Sequence, residues 1–103
     1  MPTPVTIDET AGCARPHSYT YTRVVDLAGR RVRARIRRDY YAFQSHAVAE
    51  VLSDALTWTH LTQVEADDWH GATAEPHARS LDARAELAPL ADRLIERAVA
   101  ILP

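Results

Sequence analysis

At 103 residues, 47% apolar and 25% charged, the chain has the size and balance of one globular domain rather than a disordered tail. Its apolar stretches run only a few residues, against the roughly 20 that a membrane-spanning helix needs. The start Met1-Pro2-Thr3-Pro4-Val5 shows no signal-peptide pattern, and Cys13 is the only cysteine, which excludes an internal disulfide; a cytoplasmic protein making no membrane contact is expected.

All twelve basic residues are arginine. Net charge is only −2, but it is unevenly spread: residues 15–38 hold eight arginines against Asp26, whereas residues 39–103 hold four against eleven acids. This asymmetry is the most informative feature of the composition.

Residues 1–17 contain Pro2, Pro4, Pro16 and Gly12 among polar residues without periodicity, and are read as a flexible N-terminal arm leading into an α+β domain over 18–103. From Tyr19 the pattern turns to strand. Tyr19–Asp26 and the strictly alternating Arg31-Val32-Arg33-Ala34-Arg35-Ile36-Arg37 flank Ala28-Gly29, predicting a β-hairpin. With a two-residue loop, Val25 faces Val32, Arg23 faces Ala34 and Tyr21 faces Ile36 on a mostly apolar side. Val24/Arg33, Thr22/Arg35 and Thr20/Arg37 then pair on the other. A type I turn with a bulge is the rival, but it sets Arg23 against Arg33 and scatters the apolar residues.

Residues 43–56 fit either a helical stripe or a short buried strand. The strand is preferred because Thr57–Val64 has strong β character and Ser53-Asp54-Ala55 suits a turn; a helix there would give a ββαβα order instead. Residues 66–80, with Asp67-Asp68-Trp69-His70-Gly71 and Pro76, read as a loop. Leu87, Leu90, Ala91, Leu94, Ala98 and Ile101 then form one helical stripe, with Pro89 placed in the first turn. The expected fold is a four-stranded antiparallel meander with one C-terminal helix packed on one face.

Among candidate functional residues the row Arg31, Arg33, Arg35 and Arg37 leads, because arginines two apart on a strand project together and their planar forks suit phosphates and guanine edges. Tyr19 and Tyr21 are near enough in sequence to stack on bases. The plainer reading, a solvated face neutralised by Asp26 or by Glu65, Asp67 and Asp68 folded over it, agrees better with an isoelectric point near 6.2. Tyr40 and Trp69 join the candidate binding surface as an aromatic cluster of the kind enriched in interfaces, although core packing is the commoner fate of a tryptophan.

Enzyme chemistry finds no foothold. His46, His60, His70 and His77 match no metal-ligand spacing, Cys13 lies in the proline-bounded arm without an activating setting, and three glycines with no lysine cannot build a phosphate-cradling loop. No catalytic residue, metal or cofactor is therefore expected, unless His60, His70 and Asp68 line a deep pocket. The run Arg31-Val-Arg-Ala-Arg-Ile-Arg-Arg-Asp-Tyr-Tyr-Ala-Phe-Gln-Ser, with Trp58-Thr59-His60-Leu61 and Trp69-His70, resembles a type of small protein from high-GC Gram-positive (actinobacterial) bacteria over residues 19–70. That resemblance implies no activity and no site residue. The expectation is a non-enzymatic accessory or protein-interaction module, with a nucleic-acid-binding arginine ribbon as the alternative and a homodimer expected from exposed sheet edges.

Overall fold

The computed structural model describes residues 3–15, 18–69 and 83–102. Among them an antiparallel sheet runs in the order β1 (Val5–Arg15), β2 (Ser18–Leu27), β3 (Arg30–Asp39), β4 (His46–Leu52) and β5 (Trp58–Gln63). A single helical turn, α1 (Ala66–Trp69), and the helix α2 (Ala83–Ile101) follow. The architecture is α+β, with five strands where four were expected. The additional one is β1, which occupies most of the predicted arm and pairs with β2 over nearly its whole length. It was hidden because an edge strand covered on one side tolerates the small and polar residues that elsewhere signal a loop.

The β2–β3 hairpin follows the two-residue register throughout, from Leu27 opposite Arg30 to Ser18 opposite Asp39. Its loop residues Ala28 and Gly29 have φ of 52° and 88°, the left-handed pair that matches the twist of the flanking strands. Residues 46–52 form β4, so the helical alternative for 43–56 is not adopted, although Ala42–Gln44 makes one 3-10 turn ahead of it. Between β4 and β5 the Leu56 amide donates to the Ser53 carbonyl at 2.9 Å, closing the turn with Leu56 itself at φ 61°.

Helix α2 lies across one face of the sheet and touches every strand. The core holds Tyr21, Val25, Val32, Ile36, Leu87 and Leu94, with Ala34, Ala47 and Ala49 on the two strands after β2. Alanines there leave room for the helix to approach the backbone, so large side chains on α2 and β2 interdigitate instead of colliding. Each fully covered leucine contributes about 1.5–3 kcal/mol before entropy is counted.

Two details of α2 differ from expectation. Pro89 is inside the helix and not in its first turn, because the described helix already begins at Ala83; packing of the apolar stripe outweighs the lost amide donor. Ile101, placed on the buried stripe, is 52% exposed, whereas Ile95 is buried, since the stripe drifts around the helix over several turns.

Candidate interaction surface

Alternation along β3 sends Val32, Ala34 and Ile36 toward α2 and its odd-numbered arginines to the opposite side. Register then places neighbours on that helix-free face. Arg33 is flanked by Val24 on β2 and Glu50 on β4, Arg35 by Thr22 and Val48, and Arg37 by Thr20 and His46. His60 lies opposite Glu50, and Trp58 opposite Leu52.

The centre of this face is a fixed charge cluster. Arg33 Nε donates to Glu50 Oε1 at 3.0 Å, and Arg35 Nε donates to the same oxygen at 3.2 Å. The Glu50 side chain is buried beneath the two guanidinium groups. Arg33 also lies over the Trp58 ring, 4.4 Å from its centroid, within the range of a cation–π contact. Arg37 Nη2 donates to Asp39 Oδ2 at 3.1 Å. Arg31 is exposed and makes no such contact among the described residues.

The arginine row therefore points one way, as predicted, but its carboxylate partners are Glu50 and Asp39. The sequence analysis had offered Asp26, Glu65, Asp67 and Asp68. Glu50 was missed, although it carried a signal: it is the one charged residue in Ala47–Leu52 and shares the parity of the outward positions of β4. His46 sits at the edge of the cluster. Burial, reinforced by the charges of Arg35 and Arg37 and opposed by Glu50, holds its imidazole below the usual histidine range, so it is neutral at pH 7.

Other sequence-predicted residues are placed differently. Trp69 is only 2% exposed and belongs to the core, because the single turn of α1 directs its ring inward; it is not part of a surface cluster. Tyr19 and Tyr21 also face the helix, both buried, and are not available to stack on bases. Arg38 is buried on the same side. Tyr40 is exposed, and its ring meets Tyr41 edge-on at 4.9 Å between centroids. Tyr41 in turn packs against Phe43 at 5.5 Å, so Tyr40, Tyr41 and Phe43 form an exposed aromatic corner between β3 and β4. His70 and His77 lie outside the described residues, and with them the condition set on His60, His70 and Asp68. No group of three or more metal-ligating side chains occurs among the described residues, and no helix among them is long and apolar enough to cross a membrane.

On the helix side, a second polar network ties the free edge of the sheet to α2. The Tyr21 hydroxyl donates to Glu9 and accepts from Arg23 Nε at 2.9 Å. Arg23 donates to Asp92, and Arg84 Nε pairs with Glu9 at 2.8 Å. Burial and the hydrogen bond to Glu9 push the Tyr21 hydroxyl above its usual pKa of 10.0, against the opposing influence of Arg23. With Tyr21 fully buried, this network serves as a clasp between β1, β2 and α2.

Compared with protein-family models, curated proteins and solved structures, the chain matches none. The class it falls in is an α+β protein with an antiparallel sheet backed on one face by a C-terminal helix.

Proposed function

We propose that this chain is a non-enzymatic interaction module that presents the helix-free face of its sheet to a protein partner. The observation that carries the reading is the contiguous set Trp58, Arg33, Glu50 and Arg35, which spans three strands and is held by mutual contacts. A tryptophan and an arginine held together before binding lose little conformational freedom on docking, and these two residue types are enriched among interface hot spots. Half-covered Val24, Val48 and Leu52 add apolar area around them.

The same pairing weighs against a phosphate-reading ribbon. Glu50 and Asp39 neutralise much of the row's charge, and a polyanion would have to compete with both. The test is site-specific photocrosslinking in the cell that makes the protein, with a benzophenone side chain replacing Val48 on the sheet face or Arg93 on the exposed side of α2. A discrete protein adduct from position 48, lost on Arg33→Glu and not formed from position 93, is expected. Adducts of equal yield from both positions, or adducts that contain nucleic acid, contradict the reading.

A further inference from the structure

Where the aromatic corner meets the start of β4 and the end of β5, a groove of about 590 Å³ opens, with Tyr41 and Phe43 on its rim and Val48 and Val64 in its lining. Phe43 is 82% exposed and Tyr41 54%, much more than an aromatic side chain needs for a turn. Glu65 and Asp67 supply the charge of the lining, and Glu65 is oriented by a hydrogen bond donated from Gln63. Asp67 is exposed and forms no ion pair among the described residues.

Among the described residues, the cations near the groove are engaged or uncharged. Arg35 is held by Glu50 and Arg37 by Asp39, Arg97 on α2 donates to the Gln63 carbonyl at 3.2 Å, and His46 is neutral at pH 7 because of burial and its arginine neighbours. The lining thus offers two carboxylates and two π faces, and among the described residues it contributes no arginine of its own. That combination is complementary to a planar, weakly hydrated cation, which stacks on an aromatic ring while its edge donates to a carboxylate. An ammonium group satisfies the carboxylate but lacks the flat face for Tyr41 and Phe43.

We propose that this groove binds an arginine-bearing segment of a partner protein. The inference rests on reading the chain as an interaction module, but it uses a surface beside the arginine row, not the row itself. The exposed Arg30 and Arg31 belong to the opposite end of the sheet, at the start of β3.

The test is a titration of the isotope-labelled protein with the capped peptide acetyl-Ala-Arg-Ala-Arg-Ala-amide at low salt, followed through backbone amide shifts. Shifts confined to residues 41–48 and 63–68 are expected, together with weaker binding of the lysine analogue and none of the glutamate analogue. Because both side chains are exposed, Phe43→Ser and Asp67→Asn should fold as the parent does, and each should weaken binding roughly three-fold. Shifts at residues 31–37 instead would remove this inference and leave the interaction-module reading intact. Equal binding of the lysine peptide, absence of binding, or self-association through the groove detected by sedimentation would each overturn it.

Discussion

Arg33 on β3 reaches across β4 to lie over the Trp58 ring of β5, its guanidinium carbon 4.4 Å from the ring centroid, while its Nε donates to Glu50 beneath. One side chain thereby links three strands on the face that α2 leaves open. A double-mutant cycle on Arg33→Met and Trp58→Leu, read by urea unfolding, should return a coupling of about 0.5–1 kcal/mol. A value near zero would mean that the contact adds nothing to the area it covers.

Glu50 is the anion that two arginines share. Replacing it by glutamine preserves shape and removes the charge, leaving both guanidinium groups with a neutral acceptor. Stability should fall by about 1–3 kcal/mol, and the loss should survive moderate salt because the carboxylate is screened from water. Urea unfolding at two ionic strengths measures both effects.

How much of this was legible in the sequence follows from the range of the forces involved. Alternation in Arg31–Arg37 gave the hairpin, its register and the common direction of the arginines, since a slip of one residue would exchange a buried for an exposed face. The same logic could not reach across β4: Glu50 and Trp58 become neighbours of Arg33 only once strand order is known. For Trp69 core packing was the default and a surface cluster with Tyr40 the alternative; the acidic residues around it suggest a loop, yet a single turn of helix suffices to bury one ring. Strand β1 was lost among prolines and threonines because its stability comes from β2 and from the Glu9 clasp, not from its own composition.

Ala28 occupies a left-handed conformation, φ 52°, at the tip of the β2–β3 hairpin, where an alanine Cβ is crowded. Ala28→Asn should relieve that strain and stabilise the protein by roughly 0.5–1 kcal/mol, since asparagine favours this position ahead of glycine. Thermal unfolding would show a higher midpoint. An unchanged or lower midpoint would mean that the turn is not held in this geometry in solution.

Tyr21 and His46 give opposite pH limbs. The Tyr21 hydroxyl is held above 10.0 by burial and by Glu9, so above pH 10 the unfolded chain gives up this proton more readily and stability falls as pH rises. Tyr21→Phe should flatten this alkaline limb while lowering neutral-pH stability by about 1–3 kcal/mol through the acceptor left without its donor. His46 is held below 6.5 by burial and by Arg35 and Arg37. The unfolded chain therefore takes up a proton first as pH drops below 6.5, and stability falls on the acid side. His46→Gln should reduce that loss, as measured by urea unfolding between pH 7 and pH 5.

The account depends on a guanidinium row that is set before any partner arrives, and side-chain ¹⁵N relaxation of the arginine Nε groups measures this directly. The prediction is that Arg33 and Arg35 have order parameters approaching the rigid value of about 0.85, while Arg31 falls below about 0.6. Uniformly low values across Arg31, Arg33 and Arg35 would contradict it.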